Sequence, residues 1–144
     1  MNMSKILYVE DSPMDVDLTM QAFKENKIAN QVVVTNDGVE ALEYLKLEGR
    51  FKDRKEGNPS FILLDLKMPR MDGMEFLAII KKDARFKRIP VIMLTSSREE
   101  KDLIRGYDLG VNAYVVKPLD FSALTQVVKQ IEAFWVITNE TPPE

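Results

Sequence analysis

The sequence predicts an α/β domain, a doubly wound five-stranded parallel sheet with five helices, and three observations carry that reading. Five short apolar runs alternate with five segments whose apolar residues recur every three or four positions, the pattern of strands joined by helical crossovers. The runs are continuously apolar rather than alternating, as in strands covered on both faces. Four of them end in a reactive polar residue: Lys5 to Val9 in Glu10-Asp11, Phe61 to Leu64 in Asp65, Val91 to Leu94 in Thr95, and Ala113 to Val116 in Lys117. In a parallel sheet those ends share one edge, where open α/β sheets place their ligands. Crossovers are right-handed. Strand order 2-1-3-4-5 is the economical arrangement, an expectation at the level of the fold that periodicity does not show.

The elements follow in order. Lys5 to Glu10 reads as a buried strand, and Asp11-Ser12-Pro13 opens a helix because Ser12 can cap and proline suits the first turn. Val16, Met20 and Phe23 give that helix an apolar face as far as about Asn26. Gln31 to Thr35 is the second strand. Asn36 or Asp37 caps a helix carrying Ala41, Leu42 and Leu45 and ending near Gly49. The stretch from 49 to 59, GRFKDRKEGNP, has neither apolar period and is expected to be an exposed loop. Phe61 to Leu64 is the third strand, and Asp72 or Gly73 begins the third helix, with Phe76, Leu77 and Ile80. Pro90 to Thr95 is the fourth strand, and Ser97-Arg98-Glu99-Glu100 reads as a capping box for a helix that stops at Gly110. Ala113 to Val116 is the fifth strand. The last helix starts near Asp120 and carries a wide stripe of Leu124, Val127, Val128, Ile131, Phe134 and Trp135.

Composition narrows the function. At 144 residues and 45% hydrophobic content the chain fits one domain with an ordinary core. A net charge of −3, from 20 basic and 23 acidic residues, leaves no electrostatic footprint for nucleic acid. Without cysteine there are no disulfides, no thiolate catalysis and no structural zinc of the usual kind. Without histidine the commonest general base and transition-metal ligand are also missing. A metal site must therefore be built from oxygen, which selects Mg²⁺, Ca²⁺ or Mn²⁺. No apolar stretch approaches the roughly 18 residues of a membrane span, and the amino end lacks an apolar signal core, so a soluble cytoplasmic protein is expected.

Glu10-Asp11, Asp65 followed by Met68-Pro69 and Asp72-Gly73, Thr95-Ser96, and Lys117-Pro118 together resemble the receiver domain of a two-component response regulator. These separated motifs agree in order and spacing over essentially the whole chain. The resemblance implies a flavodoxin-like receiver fold over residues 1–138, with 139–144 as a flexible tail. It implies that a partner histidine kinase phosphorylates Asp65, with Glu10, Asp11, Asp65 and the backbone carbonyl of Lys67 holding Mg²⁺. Lys117 matches the lysine that pairs with the phosphoryl group, and Thr95 the hydroxyl that hydrogen-bonds to it. Tyr114 matches the aromatic that reorients when the threonine moves, and the Lys117-Pro118 bond matches one that is cis in the family.

Elementary chemistry agrees with the resemblance. An aspartate carboxylate can attack a phosphoryl group to form an acyl phosphate. Three carboxylates at one strand edge repel by roughly 4 kcal/mol per pair at about 4 Å and an effective dielectric near 20, which a divalent cation relieves. Taken singly, Asp11 has a lesser reading as a helix cap, whereas Thr95 is more often an ordinary strand end, Lys117 a surface lysine and Tyr114 packing. The constellation gives them their meaning.

The lengthened 49 to 59 segment and the aromatic end Phe134-Trp135-Val136-Ile137 resemble stand-alone regulators of phytochrome-type histidine kinases, as do Ser96 to Glu100 and Trp135. A homodimer through the fourth-helix to fifth-helix face is expected, because Phe134 and Trp135 exceed what a short helix buries. No fused output domain is expected, so the signal would leave by protein contact or by phosphorelay to a phosphotransfer protein. Two rivals remain: a receiver-like docking module that is never phosphorylated, and a haloacid-dehalogenase-type phosphatase. The latter wants an acid two residues after its nucleophile, where this chain has Lys67.

Overall fold

Residue-by-residue pairing lines up the strand ends that the sequence marks as reactive. The computed structural model describes residues 5–117 and 120–133. Strands β1 (Ile6–Val9), β2 (Val32–Thr35), β3 (Phe61–Leu64), β4 (Val91–Thr95) and β5 (Ala113–Val116) form one parallel sheet in the order β2-β1-β3-β4-β5. Val9 pairs with Thr35 and Leu64, Leu64 with Met93, and Thr95 with Val116. Three further backbone bonds carry the ladder past the strands: Glu10 N–H donates to Thr35 O at 2.9 Å, Asp65 N–H to Val9 O at 3.0 Å, and Lys117 N–H to Thr95 O at 2.7 Å. The functional positions are thus fixed by the sheet itself.

Helices α1 (Pro13–Glu25), α2 (Gly38–Lys46), α3 (Gly73–Lys81), α4 (Glu100–Asp108) and α5 (Phe121–Ile131) cover both faces. Alternation along the strands divides the core in two. Leu7, Val9, Ile62, Leu64, Val91 and Met93 pack with the α2 and α3 residues Ala41, Leu45, Phe76, Leu77 and Ile80. Ile6, Tyr8, Phe61, Leu63, Ile92 and Leu94 pack with Phe23 of α1 and Leu124, Val128 and Ile131 of α5. α4 is the least anchored, with Gly106 its single buried residue. Among the described residues no helix is long and apolar enough to cross a membrane.

Side-chain caps start four of the five helices: Ser12, Asp37, Asp72 and Asp120 each accept a backbone N–H three residues on. The expected capping box at Ser97 does not form. Glu99 is the N-cap of α4 without a side-chain bond; Ser97 lies two residues before it, where its hydroxyl accepts the Glu99 N–H at 3.3 Å and donates to Asp102 Oδ2 at 2.6 Å. α2 also ends sooner than expected, with Leu47 in a left-handed conformation after Lys46.

The 49–59 segment is more ordered than its composition suggests. Phe51 packs edge-on against Tyr44, and Arg54 stacks over the same ring, 4.1 Å from its centroid. Arg54 also donates to the carbonyls of Tyr44 and Gly57 at 3.1 and 2.6 Å. The expected Lys117-Pro118 cis bond, the aromatic end from Phe134 to Ile137 and the tail 139–144 lie outside the described residues.

A polar latch joins the β2–α2 turn to the loop after β3. Arg70 donates to both oxygens of Asp37, at 2.7 and 3.1 Å, and Gly38 N–H donates to Met71 O at 3.0 Å. A Cβ on Gly38 would meet Met71 Cγ at 2.7 Å, so only glycine permits this approach. Burial alone would raise the Asp37 carboxyl, but Arg70 and the Glu40 and Val39 amides outweigh it and hold the group below the usual aspartate value. A depressed carboxyl contributes stability that is complete above its ordinary value of 3.8 and is lost as pH falls through the folded value. Asp37→Asn keeps a capping oxygen but loses the ion pair. Urea denaturation from pH 6 down to pH 2.5 should show the variant less stable at pH 6, with the difference shrinking toward the acid end; a constant difference would contradict the latch.

Candidate functional site

Glu10, Asp65, Thr95 and Lys117 converge at the carboxyl edge of the sheet. Each follows or ends a strand, and the extended ladder fixes the backbone from which their side chains leave. Glu10, Asp65 and Thr95 are buried, and Asp11, one residue beyond Glu10, is exposed. Glu10, Asp11 and Asp65 each offer a carboxylate oxygen, and these atoms lie within 4.8 Å of one another. The donor set is all oxygen, with one open, solvent-facing member, and it fits a hard divalent cation that keeps part of its water.

Lys117 supplies the positive charge. Its Nζ donates to Glu10 Oε1 at 2.5 Å and to Asp15 Oδ2 at 2.8 Å, whereas Asp65 Oδ1 is 3.8 Å away, an ion pair without a hydrogen bond. Burial works against the ammonium, but Asp15, Glu10 and Asp65 together push its pKa up, so it stays charged. One cation therefore serves three carboxylates, Glu10, Asp15 and Asp65, and exposed Asp11 adds a fourth negative charge beside them. Burial pushes the Glu10 carboxyl up to about 7, although Lys117 opposes the shift. Asp65 is likewise raised by burial, with Lys117 and a hydrogen bond from Glu10 pulling it partly back.

The loop after Asp65 is shaped by close backbone approach. Gly73 N–H donates to Leu66 O at 2.8 Å, and a Cβ on Gly73 would sit 2.2 Å from the Asp65 carbonyl oxygen. No rotamer relieves a clash with backbone, so the first residue of α3 must be glycine for Asp65 to keep its place. Beside Asp65 opens a polar hollow of about 290 Å³ lined by Lys67, Thr95, Ser96, Ser97, Arg98 and Glu99. Lys67 is exposed on its rim.

Tyr114 does not enter the cluster. Its hydroxyl donates to Ser97 O at 3.1 Å, and Ser97 N–H donates in turn to the Thr95 hydroxyl oxygen at 3.3 Å. Of the residues singled out in the sequence, the structure gathers Glu10, Asp11, Asp65, Thr95 and Lys117, puts Lys67 on the rim and ties Tyr114 to the β4–α4 loop. Asp15 was missed. An acid in a helix first turn reads as a response to the helix dipole, and nothing local connects it to a lysine 102 residues away.

Fold and site define a receiver-type signalling domain, and the chain belongs to the response regulator receiver domain family, whose model matches residues 6–129. The response regulator Rcp1 of Synechocystis sp. is 39% identical over 137 residues, covering 95% of this chain and 92% of that protein. The phosphorylated cyanobacterial phytochrome response regulator RcpA superposes with a TM-score of 0.89 at 42% identity, covering 99% of this chain and 100% of that one. The Mn²⁺-bound form of Rcp1 superposes with a TM-score of 0.87 at 38% identity, covering 98% and 100%. Proteins of this family are signalling proteins that interact with histidine kinases, and the relatives include phytochrome response regulators.

The raised Glu10 carboxyl has a thermodynamic consequence in metal-free protein. Between the ordinary value of 4.5 and about 7 the folded state binds more protons than the unfolded state, so stability falls as pH rises through that window. The raised Asp65 acts in the same direction. Chemical denaturation in chelator should show a loss on the order of 2–3 kcal/mol between pH 5 and pH 8, and Glu10→Gln should remove most of it. A flat profile in the parent would contradict the assignment.

Proposed function

We propose that this chain is a Mg²⁺-dependent phosphoacceptor switch in which Asp65 takes a phosphoryl group from a partner histidine kinase, of the phytochrome type by its relatives. The observation that carries the reading is the convergence of Asp65 with two further carboxylates, a buried threonine hydroxyl and a charged lysine at one sheet edge. A carboxylate oxygen of Asp65 attacks phosphorus, the bond to the donor imidazole breaks, and an acyl phosphate forms. Glu10, Asp11, Asp65 and the Lys67 carbonyl would hold the cation, which neutralises the carboxylates and the phosphoryl oxygens when bound. Lys117 offers its ammonium and Thr95 its hydroxyl proton to the oxygens that arrive. Exposed Lys67, where a phosphatase of the rival class needs an acid, favours transfer to the protein itself over turnover of small esters.

The linkage from Thr95 through Ser97 to Tyr114 supports a conformational output. A Thr95 hydroxyl drawn toward phosphate pulls on Ser97 N–H, and Ser97 O is the acceptor that holds the Tyr114 hydroxyl. Ser97 is also bonded to Asp102 on α4, the helix with one buried residue. Displacing this chain of contacts remodels the face made by α4, β5 and α5. That face carries exposed Leu103, Ile104, Tyr107 and Phe121, the apolar surface through which we expect a homodimer in the cytoplasm. Signal leaves by protein contact or onward phosphorelay.

Incubation with acetyl phosphate and Mg²⁺ should add one phosphoryl group to the parent and none to Asp65→Asn by intact mass. No addition with any divalent metal would leave a docking module instead. Light scattering at tens of micromolar should give a dimer, and Ile104→Asp with Tyr107→Ala should give a monomer; a monomeric parent, with and without acetyl phosphate, would exclude self-association through this face.

A further inference from the structure

Lys117 has a second anchor that phosphoryl chemistry on Asp65 does not use. Its ammonium has three donors, and in this state Glu10 and Asp15 take two of them while Asp65 stays outside hydrogen-bond reach. Asp15 is not among the three carboxylates clustered to receive a cation, so its charge is directed at the lysine. Nor does its side chain cap α1: the Ser12 hydroxyl accepts the Asp15 backbone N–H, a bond that any residue at 15 can make.

We propose that Asp15 is a positioning residue that holds Lys117 in the resting state and gives up its share of the ammonium when phosphoryl oxygens arrive, so that its charge sets how readily the phosphorylated state forms. The inference rests on the reading of Asp65 as phosphoacceptor. Burial decides which partner is released. The Glu10 side chain is 1% exposed and would be left without solvent if Lys117 departed, whereas the Asp15 side chain is 39% exposed and water can replace the lysine there. Giving up Asp15 is the cheaper exchange. In competing for the same donor, Asp15 works against the phosphorylated state, and removing its charge frees the ammonium.

The test uses the full chain with Mg²⁺ and beryllofluoride, an anionic mimic of the phosphoryl group. Calorimetric titration should give binding about fivefold tighter for Asp15→Asn than for the parent, the scale of one partly solvated ion pair, while Asp15→Glu should restore parental affinity. Equal or weaker binding by a folded Asp15→Asn overturns the proposal. A second readout needs no variant: the Asp15 carboxyl carbon resonance of the parent should move on addition of beryllofluoride, as its lysine leaves, and a stationary resonance in protein that binds the mimic also overturns it. Parent protein that binds no beryllofluoride defeats the Asp65 reading itself, and the tether falls with it.

Discussion

One ammonium shared by three carboxylates at the carboxyl edge of the sheet is the interaction on which this structure turns. Lys117 holds Glu10 and Asp15 directly and Asp65 at 3.8 Å. Without it two buried acids would face each other uncompensated, a costly arrangement in low dielectric. The compensation is incomplete, as the elevated Glu10 carboxyl shows. The site is therefore left with an excess of negative charge and an open side at Asp11, a condition that favours uptake of a cation and makes the resting state sensitive to any new anion on Asp65.

The sheet enforces this excess. Parallel pairing brings the ends of β1, β3, β4 and β5 into line, and ladder bonds from Glu10, Asp65 and Lys117 extend that order one residue beyond the strands. Core packing on both faces leaves the strands no route to relieve the repulsion by sliding, because a shift of one residue would send every side chain into the opposite core, which is shaped for other residues. The loops supply the remaining precision through glycine: Gly73 lets α3 start against the Asp65 carbonyl, and Gly38 lets the β2–α2 turn meet Met71. α4 is built to a different standard, with exposed Leu103, Ile104 and Tyr107 and a hydrogen-bonded connection back to Thr95. Rigid chemistry and a lightly held reporting face thus sit on neighbouring elements.

Much of this was legible in the chain. The period of the apolar residues gave all five strands and five helices, because a strand buried on both faces and a helix buried on one leave distinct patterns. Glu10, Asp11, Asp65, Thr95 and Lys117 were visible as polar ends of apolar runs. Local readings failed where a side chain had a distant partner. Ser97 looked like a cap and instead bonds Asp102 and links to Tyr114. The charged 49–59 segment is largely exposed as expected, but Arg54 within it stacks on Tyr44 and gathers backbone carbonyls.

The sequence by itself determined the element order, the family and the residue types at the reactive edge, since these depend on periodicity and on motifs contained within a few positions. Tertiary structure alone decided how the charges are shared: that Lys117 bonds Glu10 and Asp15 rather than Asp65, that Asp37 pairs with Arg70, and that Tyr114 reaches Ser97. Such pairings are fixed by distances between residues far apart in the chain and by burial that changes the cost of each unpaired charge, and neither quantity is written in local sequence.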